Sequence, residues 1–573
     1  VPYLKPPARD ERHVAPAIHC VALLVASLLL VPFQAIGQER ERAHDAFRVF
    51  PYLVSPADSS VVINWFTESS APGRLTLRSA QCLKARRVHT STPQAMEVLS
   101  YSEAERADRA QFPDMFSGQN YKHSVTVEGL VPGCAYSYAV EQSGTTYKNR
   151  FHTPPPPGSE ELIRFITFAD SETGPKGRTT RRRWIPGGQA VGSTGRPDSI
   201  GTYLLTEAEG FQRNLDVIAE REPDFLLISG DIVQGGGYQR AWDEFFFHMA
   251  GQFDNILSSV PLVPALGNWE NSGGAYGGYD PDAIARGRRK FQAYFDAPAN
   301  NNPDYRNYYY RIDYGPVTIL TLDSSNGLPD STDQDTNVNI NLATYPGDDL
   351  PDINPGSDQW RWAEAQLQDA RREGQVIFVQ FHHPPYSAGW HSLPLTMPGS
   401  SGQSGVPMRA YTPLFEEYGV AAVFSGHNES FEHSVVRGTH FYDVGVAGDG
   451  FGIPLDTTNA QYGWWDDLME ARTAMKKLSG AFENPHQVWV AHHDAPERWR
   501  GAQLVDGGKH YGHLEVRVQP QPDGTYAVRM TPVYVFPVTG ADGRVGPSER
   551  RVYDDVVSFI YDAGSGQVVR EGN

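Results

Sequence analysis

Six apolar runs, each breaking off in polar residues, constrain most strongly what this chain folds into. They are "LIRFITFAD" (162–170), "DFLLISGD" (224–231), "VPLVPALGN" (260–268), "VTILTLDS" (317–324), "QVIFVQFHH" (375–383) and "VAAVFSGH" (420–427). Near-continuous hydrophobic strands predict a sheet covered on both faces. Helix-like stretches such as "EGFQRNLDVIAERE" (209–222) and "DQWRWAEAQLQDARREG" (358–374) lie between them and supply the cover. In such α/β layouts ligands gather at the carboxyl ends of the strands, where this chain places its polar residues.

The region before these runs is written differently. "SSVVINWFTE" (59–68) and "CAYSYAVEQ" (134–142) alternate in character and are rich in β-branched and aromatic residues, which predicts strands. The stretch "VTVEGLVPGCAYSYAV" (125–140) has a Leu-x-Pro-x-x-x-Tyr-x-Tyr arrangement similar to the tyrosine-bearing strand of fibronectin type III sandwiches. Residues 45–155 therefore read as an all-β sandwich, closed by "TPPPPG" (153–158), a stiff polyproline linker. Residues 160–565 read as an α/β domain with insertions at about 171–202 and 455–505.

At 573 residues the chain is long enough for several domains. A net charge of -19 opposes binding of nucleic-acid polymers, whose affinity rests on cationic side chains. Arg9 and Arg12 precede an apolar run from Cys20 to Val31, followed by Ala35-Ile36-Gly37. Residues 1–37 thus resemble a secretory signal peptide, and the run is short of the roughly 20 residues that span a bilayer. The expected mature protein is secreted or periplasmic, without a stable membrane span; a retained N-terminal anchor is the alternative. Export would leave Cys82 and Cys134 in a compartment that permits a disulfide between them.

The strand ends offer, in order, Asp170 with Glu172, Asp231, Asn268, His382 with His383, and His427 with Glu429. Carboxylate, amide and imidazole groups at one sheet edge need a cation to organise them, and a shared carboxylate makes a two-metal clamp natural.

This series resembles the calcineurin-like metallophosphoesterase superfamily, and within it the purple acid phosphatases, which also carry a fibronectin-like domain before the catalytic one. The family's blocks run D-x-[H/G], G-D, G-N-H-[D/E], H-x-P and G-H-x-H; here they read "ADSE", "SGDIVQ", "LGNWEN", "HHPPYS" and "SGHNES". The resemblance implies an α/β (α+β) four-layer metallophosphoesterase sandwich preceded by the all-β module. It implies two divalent metal ions, with Asp231 bridging them. Asn268, His382 and His427 would complete the second site, and Asp170 would belong to the first. There the family adds imidazole or phenolate ligands, whereas this chain has Glu172, Gln234 and Glu429. If Glu172 and Glu429 are ligands, the oxygen-rich first site favours Mn²⁺, Mg²⁺ or Ca²⁺ over Zn²⁺ or Fe; otherwise both carboxylates face solvent at the rim.

The resemblance further implies hydrolysis of a small phosphorylated substrate, a phosphate monoester or nucleotide, by a metal-bridging hydroxide. Phosphodiester cleavage and a non-catalytic metal- or phosphate-binding adhesion protein are the alternatives. Where the family often has a histidine that steadies the phosphoryl group, this chain has Trp269. His383 and His391 are candidates for its role, or else histidines that only hydrogen-bond around the metals. Arg178 and Arg181 to Arg183 would meet an anionic substrate or form a solvated loop, and Trp464 and Trp465 would cover the pocket or pack in the core. His492, His493, His510 and His513 fit no recognised metal spacing, and His513 reads as structural.

Overall fold

The computed structural model describes residues 45–571 apart from 111, 113–114, 175–194, 275–277, 326–334, 338–349, 388, 396–400, 449–483, 492–494 and 509–510. The expected signal peptide, the arginines at 178 and 181–183, the tryptophans at 464 and 465, and the histidines at 492, 493 and 510 lie outside the described residues. Among the described residues no helix is long and apolar enough to cross a membrane.

All six apolar runs form strands. Ile163–Phe168, Phe225–Ile228 and Leu262–Pro264 pair in parallel within one large sheet. Val317–Thr321, Val376–Gln380 and Ala422–Ser425 pair in parallel within a second, seven-stranded sheet. The two sheets face each other across a core that includes Phe165, Phe225, Phe378 and Phe424. Helices cover the outer faces. Glu207–Ala219 presents Phe211, Leu215 and Ile218 to the first sheet, and Asp358–Arg372 presents Ala363 and Leu367 to the second. Both helices begin where their sequences place a cap. Thr206 and Glu209 form a reciprocal capping box, and the Ser357 hydroxyl accepts the Trp360 N–H. The result is a four-layered α/β/β/α body.

The N-terminal region is β-rich, as the alternating runs predict. Arg74–Arg78, Ala135–Gln142 and Thr145–His152, with Arg87–Thr90, make a four-stranded sheet. Tyr136 accepts the Val131 N–H at 2.8 Å, tying the start of its strand to the turn before it. Cys82 and Cys134 are disulfide-bonded, with Cα atoms 6.5 Å apart.

The other sheet of this module is not a separate layer. Val49–Ala57 pairs with Ser60–Thr67 on one side and in parallel with Leu262–Pro264 on the other, Val54 opposite Leu262. The module therefore extends the large sheet, and one hydrophobic core runs through both. Buried ion pairs reinforce the seam, Arg48 to Asp243 at 3.1 Å and Lys122 to Asp296 at 2.7 Å. The proline run is accordingly no free spacer. Pro154 and Pro155 are buried, and the Pro154 carbonyl accepts the Gly133 N–H.

Candidate metal centre

Each candidate ligand sits in the turn that ends an apolar strand, and three of these turns are strained. Asp170, Asp231 and His427 have φ of 54°, 47° and 75°, a left-handed region that costs a non-glycine residue roughly 1–2 kcal/mol. Backbone strain of this kind clusters at functional sites. The glycines of the motifs permit close approach. A Cβ on Gly267 would lie 2.2 Å from Asp231 Oδ1, and one on Gly426 would lie 2.2 Å from Asp170 Oδ2.

Two groups of ligand atoms result, each within 4.8 Å: Asp231 with His382 and His427, and Asp170 with Glu172 and Asp231. Asp231 belongs to both. The three carboxylates are no more than 2% exposed. At 4.8 Å and an effective dielectric of 20, each like-charged pair costs about 3.5 kcal/mol. Three such pairs cost about 10 kcal/mol, which rivals the whole stability of a domain; protons or cations must offset it.

The second group shows which. His382 Nδ1 lies 3.0 Å from the Ser229 carbonyl, and a carbonyl only accepts, so Nδ1 carries the proton. Burial holds the His382 imidazole below its usual pKa, so the ring is neutral and Nε2 presents a lone pair. That lone pair faces Asn268 Oδ1 at 2.7 Å and Asp231 Oδ2 at 3.0 Å. His427 Nε2 is buried with no hydrogen-bond partner among the described residues; burial, then the neighbouring histidines, push its pKa well below the usual value. Acceptors that converge with no proton between them are the donor set of a cation, and an imidazole whose other nitrogen donates to a carbonyl is the usual metal-binding arrangement. The residues fit two divalent ions.

Glu429, half-buried with φ of 48°, belongs to neither group. His383 is fully buried, with its Nδ1 2.9 Å from Ser324 Oγ and its ring 4.5 Å from that of His427. His391 is half-buried, its ring 3.9 Å from that of His427 and its Nδ1 2.8 Å from Ser401 Oγ. Both candidates thus border the centre. His513 is buried and belongs to neither group, its Nδ1 2.7 Å from Asn214 Oδ1.

Three participants were not singled out in the sequence. Glu270 Oε1 accepts the N–H groups of Ile232 and Val233, and Oε2 those of Asp231 and Gly267. It clamps the two ligand turns together, and burial followed by the Asp231 charge pushes its pKa up to about 7. The family block G-N-H-[D/E] contains this position, so a signal existed. Tyr279 accepts the Asn268 Nδ2–H at 2.9 Å. Asp443 is buried near Asp170, and burial, then the Glu432 and Asp170 charges, raise its pKa well above the usual value. No motif marks Tyr279 or Asp443.

Residues 206–428, less than half of the chain, match the family model described as calcineurin-like phosphoesterase. An uncharacterised protein of Mycobacterium tuberculosis is 28% identical over 350 residues, covering 59% of this chain and 54% of that protein. A probable inactive purple acid phosphatase of Arabidopsis thaliana is 25% identical over 328 residues, covering 54% of this chain and 44% of the relative. The chain spans about half the length of these curated relatives. Among solved structures, a purple acid phosphatase from yellow lupin superposes with a TM-score of 0.52 at 16% identity, covering 88% of this chain and 74% of that one. This chain carries a calcineurin-like phosphoesterase domain on a fold like that of the purple acid phosphatases.

Proposed function

We propose that this protein is a metal-dependent phosphoester hydrolase, secreted or periplasmic, acting on small phosphate monoesters or nucleotides. The observation that carries the reading is the pair of metal-capable groups that share Asp231. Two divalent ions bound there would neutralise the phosphoryl group and lower the pKa of an attacking water. Asp170, Glu172 and Asp231 would hold one ion with oxygen donors, suited to Mg²⁺, Mn²⁺ or Ca²⁺. Asp231, Asn268, His382 and His427 would hold the other with mixed nitrogen and oxygen donors.

The remaining residues order that centre. Glu270 fixes the turns of Asp231 and Asn268 through four backbone N–H groups. The His427 N–H fixes both oxygens of Asp170, at 3.1 and 2.9 Å. His391, half-buried beside His427, is positioned to donate to a phosphoryl oxygen, while His383 lies deeper and braces the His427 ring. The Cys82–Cys134 bond supports an oxidising compartment.

Chromogenic phosphomonoesters and phosphodiesters assayed with Mg²⁺, Mn²⁺, Ca²⁺, Zn²⁺ and Fe, beside metal analysis of the purified protein, test the reading. Turnover of monoesters that requires added metal is expected. Turnover of diesters alone would make it a phosphodiesterase. Bound metal with no turnover of either would make it a non-catalytic binder, the reading that Trp269 and the position of Glu429 favour.

A further inference from the structure

Trp269 leaves the centre without the family's histidine, and an unassigned hydroxyl stands beside the same turn. Tyr279 is half-buried, directly before Asp280, which caps the helix Pro281–Tyr294 by accepting the Ala283 N–H at 3.0 Å. Its Oη accepts two amide N–H groups, Asn268 Nδ2 at 2.9 Å and Gln403 Nε2 at 2.8 Å. Both donors are buried, Asn268 4% and Gln403 7% exposed.

A phenol oxygen has two lone pairs and one proton. With both lone pairs engaged, the only bond left to Tyr279 is the one its O–H donates, and that proton meets no acceptor among the described residues. The Asn268 amide cannot take it. The amide oxygen faces His382 Nε2 at 2.7 Å, where Asp231, His382 and Asn268 would hold a cation, and the amide nitrogen is the end that faces Tyr279. A phenol whose oxygen is fixed by two donors and whose proton has no acceptor among the described residues, one side chain from the metal-binding group, suits an oxyanion-type site.

We propose that the Tyr279 Oη–H donates a hydrogen bond to the leaving oxygen of the bound phosphate ester, filling the role left open at Trp269. This rests on the phosphoesterase reading above. The hydroxyl stabilises charge on that oxygen as its bond to phosphorus breaks and gives up no proton in doing so; the departing oxygen takes its proton from solvent. Substrates with poor leaving groups depend on it most.

The test compares Mn²⁺-loaded wild type, Tyr279→Phe and Gln403→Leu on aryl phosphates spanning good to poor leaving groups, with Mn²⁺ content and inorganic phosphate affinity measured on each. Removing one such donor costs roughly 10²-fold. In Tyr279→Phe, kcat/KM on phenyl phosphate should fall about that much, and on dinitrophenyl phosphate less than about threefold. Mn²⁺ content should hold, and phosphate should bind about tenfold more weakly. Gln403→Leu should steepen the leaving-group dependence in the same direction by a smaller factor. An equal fall on every ester with lost Mn²⁺ would make Tyr279 a positioning residue for Asn268 only. An unchanged leaving-group dependence in an active protein would overturn the donor role and leave the phosphoesterase reading standing. Wild type that hydrolyses no ester overturns both.

Discussion

The two halves of the candidate metal centre share Asp231 and differ in almost everything else. The half with His382, His427 and Asn268 keeps imidazole and amide donors on three strand ends. The half with Asp170 and Glu172 is all carboxylate. The family-model match runs from 206 to 428. It contains every residue of the first-named half, but it begins after Asp170 and Glu172 and stops one residue before Glu429. The family model thus spans the nitrogen-bearing group and leaves Asp170, Glu172 and Glu429 outside its bounds. One residue nevertheless serves both: the His427 ring reaches the nitrogen-bearing half, while its backbone N–H binds Asp170 in the other. Divergence in one half can therefore proceed by side-chain replacement without moving the backbone frame that both depend on.

The shared carboxylate gives the largest expected effect. Asp231→Asn removes charge from both groups, so metal analysis should show both ions weakened. Hydrolysis should fall by more than the roughly 10²–10³ that one lost transition-state donor costs. The β-rich module and its Cys82–Cys134 bond should keep the variant folded, checked by circular dichroism. Full metal content with full activity would mean that the two groups are not one centre.

His427→Ala separates the halves. It deletes the buried imidazole but leaves the backbone N–H on Asp170, so one ion should be lost and the other retained. The lost ion's affinity should drop by more than the roughly 10–100-fold that an outer partner costs. Glu172→Ala is the mirror experiment and smaller, because Asp170 and Asp231 remain. The ion held by carboxylates should weaken, and the His382 half should stay loaded. Elemental analysis after dialysis reads both. Loss of both ions in either variant would show that the halves bind cooperatively rather than side by side.

Much of this was legible from the chain. Strand ends are written in local pattern, so Asp170, Asp231, Asn268, His382 and His427 could be named from where apolar runs stop. The helices at 209–222 and 358–374 were legible for the same reason, although their caps at Thr206 and Ser357 were not singled out. What escaped is set by long-range geometry. Val54 opposite Leu262 fuses the module to the catalytic sheet, and no local pattern encodes a register between residues so far apart. Tyr279 and Gln403 meet across more than a hundred residues, each in an irregular segment without periodicity. Glu270 was visible within its block, but its part as a four-fold acceptor appears only once the turns of Asp231 and Gly267 are brought together.

Glu429 is where the comparison between the halves is finest and the expected effect smallest. By position in "GHNES" it replaces the last imidazole of the family motif, yet it stands outside both ligand groups and is half-buried. Its backbone keeps the left-handed turn, with φ of 48° two residues after His427 at 75°, so the chain still presents a side chain near the centre. The Glu429 N–H lies 3.1 Å from the space that a Cβ on Gly445 would fill, and Asp170 Oδ2 lies 2.5 Å from it. The Glu429 main chain thus passes close to Asp170, and we expect its carboxylate to act from the rim of the centre rather than as a ligand. Glu429→Ala should then lower activity less than about tenfold, below the cost of an outer metal partner, with both ions retained. Glu172→His combined with Glu429→His tests the same point from the other side. If Glu429 does reach the ion, the double replacement adds two nitrogen donors and shifts the metal preference from Mn²⁺ or Mg²⁺ toward Zn²⁺ or Fe. If only Glu172 does, the double variant should match Glu172→His alone. Activity and metal content of the three proteins against each cation separate these outcomes.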